Sequence, residues 1–228
     1  MVINLDKHEI TKMLEYSGLS YKNVQPENPK ESVVFINDGK TDIQCFVRKK
    51  QGKLIIVFRG SDSKKDWLTD FQFWKKTVPY NNFSSKIRVH SGFLNAYRSK
   101  NVRDKIHSLI TKDIYKIQIT GHSYGAGLAT LCAVDLEYNF SSIDYEVVLF
   151  GSPRVGNRAF KESYNKRVFK TIRVENGNDI VTKIPFKFLG YRHVGVKLHI
   201  GLPQLFGVIS FSDHELQKYY NKLLNFFY

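Results

Sequence analysis

The pentapeptide Gly121-His122-Ser123-Tyr124-Gly125 carries the strongest chemical signal in the sequence. It lies between a β-rich run at residues 115–120 and a stretch of small and apolar residues at 125–138 that has helical spacing. A Gly-x-Ser-x-Gly sequence between a strand and a helix is typical of a nucleophile elbow, which exposes the serine hydroxyl above the sheet. The start of a helix also favours developing negative charge. We therefore expect Ser123 to be a nucleophile.

A serine nucleophile needs a general base. The histidines that follow Ser123 in the chain are His193, His199 and His214. His214 belongs to Ser212-Asp213-His214-Glu215, and this Ser-x-x-Glu pattern predicts a capping box at the start of a last helix over 213–227. The positive end of a helix dipole favours a neutral imidazole, the form that accepts a proton. His214 is therefore the preferred base. His193 and then His199 stay as alternatives, because both lie in a predicted strand, where a histidine more often has a structural role.

A third residue, an acid, must hold the histidine in the correct tautomer. Asp179 lies in a polar loop directly after a predicted strand at 168–174. Loops at the carboxyl ends of strands collect the functional residues of α/β proteins, so Asp179 is the preferred acid. Two other aspartates are weaker candidates. Asp144 precedes a strand, and Asp213 adjoins His214 but should point elsewhere on the last helix.

A mostly parallel sheet would bring these residues together. Segments rich in β-branched and aromatic residues at 32–36, 42–48 and 53–58 predict early strands, and the last two flank a hairpin turn at 49–52. Further along the chain, predicted helices and strands alternate, which is typical of parallel strands covered by helices on both faces. The sequence contains neither an internal repeat nor a Gly/Ser-rich or Pro-rich linker. We therefore expect residues 1–228 to form a single α/β domain.

The composition narrows the function classes. The 228 residues include 35 Lys+Arg and 21 Asp+Glu, for a formal net charge of +14. This charge suits nucleic acid, an anionic membrane or simple solubility, but the basic residues are dispersed and form no known nucleic-acid motif. Two cysteines, Cys45 and Cys132, are too few for a disulfide framework. The sequence shows neither a signal peptide nor a membrane span, which predicts a soluble protein that is intracellular or exported by a non-classical route.

Taken together, several motifs make the sequence resemble the class 3 lipases, which are α/β-hydrolases. The matching blocks are Val57-Phe58-Arg59-Gly60-Ser61, Trp67 with Asp70, Val89-His90-Ser91-Gly92-Phe93, Gly121–Gly125, Phe150–Asn157, Asn178–Val181 with Pro185, Tyr191-Arg192-His193 and Asp213-His214. They follow the order of the family over residues 53–215. The resemblance implies an α/β-hydrolase fold and a triad of Ser123, Asp179 and His214, with His193 as a non-catalytic neighbour. It also implies an oxyanion hole formed by Ser61 and the N–H of Tyr124, and a reaction without metal or cofactor.

In the family that the chain resembles, the segment after Ser61 forms a lid over the site. The residues proposed for a lid or a lipid interface are Lys64, Lys65, Trp67, Leu68, Phe71, Phe73 and Trp74, with Lys75 and Lys76 beside them. Aromatic residues next to lysines suit an anionic membrane surface. An ordinary surface helix with its apolar side in the core explains the same pattern equally well.

The resulting hypothesis is a serine hydrolase that cleaves carboxylic esters of lipids, either triacylglycerols or phospholipids, through an acyl-enzyme. The alternative is a non-catalytic relative that binds or scaffolds lipids. Retention of three potential triad residues favours the enzyme. The partners expected are a lipid ester and, peripherally, an anionic membrane surface; a specific nucleic-acid partner is not expected.

Overall fold

The computed structural model describes residues 6–22, 32–60, 75–78, 84–202 and 209–228. Its strands in chain order are β1 (Ser32–Asp38), β2 (Ile43–Lys50), β3 (Lys53–Phe58), β4 (Lys75–Thr77), β5 (Arg88–His90), β6 (Lys116–His122), β7 (Asp144–Phe150), β8 (Gly156–Asn157), β9 (Thr171–Asn176), β10 (Tyr191–Arg192) and β11 (Val196–Ile200). The α-helices are α1 (Lys7–Leu19), α2 (Ser91–Tyr97), α3 (Arg103–Ser108), α4 (Tyr124–Asn139), α5 (Arg158–Arg167) and α6 (Leu216–Phe227).

The central sheet is mixed, as the sequence predicts. Its described strands run in the order β1-β2-β3-β6-β7-β9-β11. The first three pair antiparallel, whereas β3, β6, β7, β9 and β11 pair parallel. The β2–β3 hairpin turns through Gln51 and Gly52, which both have positive φ, a combination that matches the twist of a two-residue hairpin. The predicted mostly parallel sheet with an antiparallel hairpin near its start is therefore confirmed.

Helices cover both faces of this sheet. α1 and α6 pack on one face, where the buried core includes Phe150 and Tyr219. α2, α3, α4 and α5 lie over the other face, where Phe58 and Phe93 belong to the larger core cluster. A small antiparallel sheet, in the order β10-β8-β5-β4, is attached beside this layer. In the part of the chain that the structure describes, no helix has both the length and the apolar character needed to cross a membrane.

Some boundaries differ from the predictions. The helical stripe at 93–110 is divided into α2 and α3, with a break that includes Ser99, where the sequence suggests one. α5 and the strands β4, β5 and β8 have no counterpart among the predicted elements. The strand predicted to contain both His193 and His199 is divided into β10 and β11, and His193 lies between them. The last helix begins at Leu216, because Ser212–His214 form a separate 3₁₀ turn. The capping box predicted for Ser212 is therefore wrong, since Glu215 is the N-cap and its side chain makes no capping hydrogen bond.

Candidate active site

Ser123 lies at the junction between β6 and α4. Its backbone has φ 60° and ψ −127°, a conformation that a residue other than glycine rarely adopts. The hydrogen bond from its N–H to the carbonyl oxygen of Phe150, 3.0 Å long, fixes the turn against the end of β7. The nucleophile-elbow geometry predicted for this pentapeptide is therefore present in the structure.

Two glycines make this turn sterically feasible. A Cβ atom on Gly121 would lie 2.6 Å from the backbone of Gly125. A Cβ on Gly125 would lie 2.3 Å from the carbonyl oxygen of Phe58, the last residue of β3. The first turn of α4 therefore approaches the end of β3 more closely than any side chain would allow. The segment that leads to Ser61 consequently starts next to the elbow.

Asp179 and His214 form the buried polar pair of the site. His214 Nδ1 lies 2.8 Å from Asp179 Oδ2, and both side chains are almost completely buried. The carboxylate accepts the proton on Nδ1, so the lone pair of the neutral ring is on Nε2, where a general base requires it. His214 Nε2 has no hydrogen-bond partner among the residues that the structure describes, Ser123 included. In a structure without substrate, a nucleophile–base contact is often longer than a hydrogen bond.

A third glycine lets the acid and the base approach the elbow. Gly151, directly after β7, has φ 55°. A Cβ atom there would lie 2.9 Å from His214 Cε1 and 3.0 Å from Asp179 Oδ2. Since Gly151 follows Phe150, the residue that holds the backbone of Ser123, this contact brings the Asp179–His214 pair next to the nucleophile elbow.

The two oxygens of Asp179 have different partners. Oδ1 accepts the N–H of Val181 at 2.8 Å, which folds the loop after β9 around the carboxylate. Oδ2 accepts the proton of His214 and also the hydroxyl proton of Tyr219 at 2.6 Å. Burial, followed by the charge of Asp179, raises the pKa of Tyr219 well above its usual value, so the phenol remains a donor. Three donors therefore fix the orientation of this carboxylate.

Tyr219 is a site residue that the sequence analysis does not identify. Its ring is completely buried and belongs to the apolar stripe of α6, so its pattern is that of a core residue. Its polar hydroxyl was the available signal, because a buried tyrosine normally finds a hydrogen-bond partner.

His122, the residue before Ser123, contacts His214 both through its ring and through a hydrogen bond. Its ring stacks on that of His214 with the centroids 4.5 Å apart and the planes inclined by 25°. Its Nε2 lies 2.9 Å from the backbone carbonyl oxygen of His214, so this nitrogen must carry a proton. Its Nδ1 is then an acceptor, and Tyr21 donates to it at 2.9 Å. His122 therefore links the nucleophile elbow to the base through both ring stacking and a hydrogen bond.

Tyr21 also contacts the segment that leads to Ser61. A Cβ atom on Gly60 would lie 2.0 Å from the Tyr21 hydroxyl oxygen, so only glycine fits there. The guanidinium of Arg59 lies 5.7 Å from the centroid of the Tyr21 ring. Arg59 also donates to Gln44. Tyr21 thus lies between the end of β3 and the residue before the nucleophile.

The weaker candidates have structural partners elsewhere. His193 Nε2 lies 2.8 Å from the carbonyl oxygen of Thr182, and burial, then the charges of Arg173 and Arg154, lower its pKa well below the usual value. His199 lies on β11, opposite Glu175. Asp144 forms an ion pair with Lys170, and Asp213 accepts the N–H of Asn178. Among the three histidines considered, His214 is the one that contacts Asp179 within the described structure.

Part of the predicted site lies outside the described residues. Those residues are Ser61, Lys64, Lys65, Trp67, Leu68, Phe71, Phe73 and Trp74. The expected oxyanion residue Ser61 and the expected lid therefore stay predictions. Tyr124 is the first residue of α4, where backbone N–H groups have no acceptor within the helix. Its ring packs against Phe93, with the centroids 5.2 Å apart.

The arrangement of Ser123, His214 and Asp179 is chemically suited to acyl transfer. A strained serine lies at a helix start, and a buried histidine with a free Nε2 lone pair lies next to its turn. A carboxylate fixes the tautomer of that histidine. The described residues contain no group of three or more His, Cys, Asp or Glu side chains that could hold a metal ion.

Comparisons with known proteins agree with this geometry. The sequence model of the family described as "Lipase (class 3)" matches residues 55–189, a range that contains Ser123 and Asp179. The chain is 30% identical over 176 residues to the secreted mono- and diacylglycerol lipase 1 of Fusarium solani, covering 74% of this chain and 51% of the relative. It is 34% identical over 149 residues to a chloroplastic phospholipase A(1) of Arabidopsis thaliana, covering 58% of this chain and 33% of the relative.

A solved structure gives the same result for the fold. It belongs to a triacylglycerol lipase whose catalytic centre is described as a serine protease triad. The superposition has a TM-score of 0.75 at 26% identity and covers 85% of this chain and 79% of the other. This chain spans about half the length of the Fusarium relative and about a third of the Arabidopsis one.

Proposed function

Because the chain belongs to the class 3 lipase family, we propose that it hydrolyses carboxylic esters of lipids through an acyl-enzyme on Ser123. The observation that carries the proposal is the buried Asp179–His214 hydrogen bond of 2.8 Å next to the nucleophile elbow. The family match, the fungal lipase relative and the plant phospholipase A(1) relative support lipids as the substrate class. In this proposal residues 1–228 form one hydrolase domain.

Each step of the proposed reaction uses a group already described. The hydroxyl of Ser123 attacks the ester carbonyl while His214 Nε2 takes its proton. Asp179 keeps the proton on Nδ1 and stabilises the imidazolium that forms. The imidazolium then protonates the leaving alcohol. A water molecule, deprotonated by His214, attacks the acyl-enzyme, and His214 returns that proton to the oxygen of Ser123 as the fatty acid leaves.

The tetrahedral intermediate places negative charge on the former carbonyl oxygen. The N–H of Tyr124, at the start of α4, is a suitable donor for that oxygen, and Ser61 is the proposed second donor. Loss of one such donor typically lowers turnover by about 10²–10³-fold. The substrate proposed is a triacylglycerol or a phospholipid acyl ester, and the reaction includes peripheral contact between the protein and a lipid surface.

The decisive experiment compares hydrolysis by wild-type protein and the Ser123→Ala variant. The substrates are p-nitrophenyl butyrate, a dispersed triacylglycerol and phosphatidylcholine vesicles. We expect activity on at least one ester, and a loss of about 10⁴- to 10⁶-fold in the variant. Ser108→Ala is the matched control, because this exposed hydroxyl donates to the carbonyl oxygen of Lys105 in its own helix. A folded wild-type protein without activity on any of these esters would favour the non-catalytic, lipid-binding alternative.

A further inference from the structure

Two phenylalanines are exposed on a short turn after the Asp179 loop. Phe186 and Phe188 are 37% and 82% exposed, and their rings stack with centroids 5.3 Å apart and planes inclined by 9°. They belong to residues 183–189, called here the aromatic turn, which ends in a 3₁₀ helix at Lys187–Leu189. Stacked aromatic rings at this level of exposure are costly in water and are typical of an interaction site.

Three cationic side chains donate hydrogen bonds to backbone carbonyl oxygens of the aromatic turn. Arg154 donates to the carbonyl oxygens of Lys183 and Pro185. Arg192 donates to that of Lys187, and Lys75 to that of Leu189. These three cations bind neutral oxygens, so the contacts fix the backbone of the turn without cancelling positive charge.

Five cationic side chains lie on or around the aromatic turn. Lys183 and Lys187, both exposed, add to the charge of Arg154, Arg192 and Lys75. Within the described ranges, none of these five cations forms an ion pair with a carboxylate. Burial, and then the neighbouring charges of Arg88 and Arg192, lower the pKa of Lys75. Burial and the charge of Arg192 also lower the pKa of Arg154. The cations therefore repel one another, and an anionic surface would relieve this repulsion.

The aromatic turn lies at the same edge of the sheet as the candidate active site. Thr182, the residue before it, donates its hydroxyl proton to the carbonyl oxygen of Asp179 at 2.8 Å. Arg154 follows Gly151 by three residues, and Gly151 lies against His214 and Asp179. A surface that binds the aromatic turn would therefore be next to the proposed esterase site.

We propose that the aromatic turn is a docking site for lipid surfaces with anionic head groups, in which Phe186 and Phe188 enter the interface while the exposed Lys183 and Lys187 bind the head groups. This combination of exposed rings and basic residues is typical of interfacial binding. The proposal deepens the proposed function, because it rests on a lipid substrate at the neighbouring site. It differs from the lid interface expected from the sequence in its aromatic residues, which follow Asp179 rather than Ser61, although Lys75 lies beside both.

The test measures binding of the full chain to vesicles by co-sedimentation. One vesicle is pure phosphatidylcholine, and the other contains equal parts of phosphatidylcholine and phosphatidylglycerol. Use of the Ser123→Ala variant prevents hydrolysis of the vesicles during the measurement. We expect stronger binding to the vesicles with phosphatidylglycerol, and a decline of this binding as salt is added. Equal binding to both vesicles would overturn the proposal.

Two variants then locate the docking site. Lys183→Gln/Lys187→Gln should weaken binding to the phosphatidylglycerol vesicles by about 30-fold, from about 1 kcal/mol for each lysine at such a surface. Phe188→Ser should weaken it by about tenfold, because a phenylalanine ring is no longer inserted. An unchanged affinity of Lys183→Gln/Lys187→Gln would contradict binding of the head groups by these lysines. An unchanged affinity of Phe188→Ser would contradict insertion of the aromatic ring.

The matched controls remove the same groups from the opposite edge of the sheet. Lys112→Gln/Lys166→Gln changes the net charge equally, and Phe169→Ser removes a ring that is 44% exposed just before β9. Both should bind like the parent protein. If the lysine control weakens binding as much as Lys183→Gln/Lys187→Gln, diffuse charge drives binding and the proposal is wrong. Hydrolysis of p-nitrophenyl butyrate, measured with Ser123 restored, tests the proposed function separately from the proposed docking site. Vesicle docking without esterase activity would reject only the proposed function.

Discussion

Charged side chains have different partners at the two edges of the parallel sheet. The amino edge is where β6, β7 and β9 begin, and the carboxyl edge is where they end. At the amino edge, Lys116 pairs with Glu146 at 2.7 Å, Lys170 with Asp144 at 2.6 Å and Lys49 with Asp113 at 3.0 Å. At the carboxyl edge, Arg154, Arg192 and Lys75 donate to backbone carbonyl oxygens. Toward that edge, two carboxylates contact candidate histidines, Asp179 with His214 at 2.8 Å and Glu175 with His193 at 3.6 Å, and Glu175 also pairs with the buried Arg173.

This contrast suggests that the amino edge has a structural role and that the carboxyl edge has the functional one. Charges that are paired within the protein make no demand on a ligand, so the amino edge can be altered at little cost to activity. The carboxyl edge carries His214, the proposed proton acceptor, Ser123, the proposed nucleophile, and positive charge that can act on a ligand. The following predictions test this separation, from the largest expected effect to the smallest.

The largest effect is expected for Asp179→Asn. An amide cannot hold the proton on Nδ1 of His214 as a carboxylate does, so the ring adopts the wrong tautomer for accepting the proton of Ser123. We expect kcat to fall by about 10⁴-fold. The measurement is ester hydrolysis together with thermal melting, which shows whether the variant is folded. Asp144→Asn, the same change at the amino edge, should keep kcat within about twofold, because Asp144 pairs with the partly exposed Lys170, away from the candidate site. Comparable losses in the two variants would refute the contrast between the edges.

A smaller effect is expected for Tyr219→Phe, because Tyr219 acts through Asp179 and does not contact substrate. Loss of its hydroxyl removes one of three hydrogen bonds that orient the carboxylate. We expect kcat to fall by about tenfold with KM nearly unchanged, which corresponds to one hydrogen bond to a charged group.

Tyr164→Phe is the matched control for this change. Tyr164 is also completely buried, and its hydroxyl lies 3.0 Å from that of Thr171, remote from Asp179. It should lower the melting temperature as Tyr219→Phe does and leave kcat unchanged. An equal decrease of kcat in both variants would mean that Tyr219 has only a structural role.

A pH effect is expected from His193, which the fold keeps neutral. Burial, then the charges of Arg173 and Arg154, lower its pKa well below 6.5 in the folded protein. The unfolded chain therefore binds a proton near pH 6.5 and the folded chain does not, so the stability contributed by His193 is complete above this pH and is lost as the pH falls. The loss is at most about 1.4 kcal/mol per pH unit. Urea unfolding between neutral and acidic pH should show a flatter profile for His193→Gln than for the wild type, whereas the exposed His8→Gln should match the wild type.

The smallest effect is expected at the amino edge, for Lys116→Met. The substitution removes an ion pair whose lysine is 21% exposed. It should lower the free energy of unfolding by about 1 kcal/mol or less and leave kcat and KM unchanged. A double-mutant cycle with Glu146→Gln measures the coupling directly. A substantial loss of activity would show that the amino edge also controls the site.

The sequence predicts the parts of this architecture that depend on local pattern. The parallel arrangement of the later strands, the early hairpin and the turn at Ser123 follow from hydrophobic periodicity and glycine spacing. The preference for His214 over His193 and the choice of Asp179 agree with the buried pair in the structure, although the capping box that supported His214 is absent.

The remaining features depend on contacts between distant segments. The bond between Tyr21 and His122 joins residues 101 positions apart, and the bond between Tyr219 and Asp179 joins residues 40 apart. Tyr219 has the pattern of a core residue, and its role appears only when α6 is packed against β9. The hydrogen bonds from Lys75 and Arg154 to the aromatic turn are equally difficult to predict from the sequence, because they join residues that are far apart in the chain.

The position of α6 has a consequence for how the protein loses activity. The 3₁₀ turn that carries His214 and the helix that carries Tyr219 follow every strand of the sheet in chain order, and within α6 only Tyr219 and Leu223 are buried. Detachment of this segment would remove His214, the proposed base, and the Tyr219 hydroxyl that orients Asp179, while the sheet and the turn at Ser123 stay folded. Such local opening requires less free energy than global unfolding. Heat or denaturant should therefore inactivate the protein before the sheet melts, so that activity reports on the docking of one helix rather than on the whole fold.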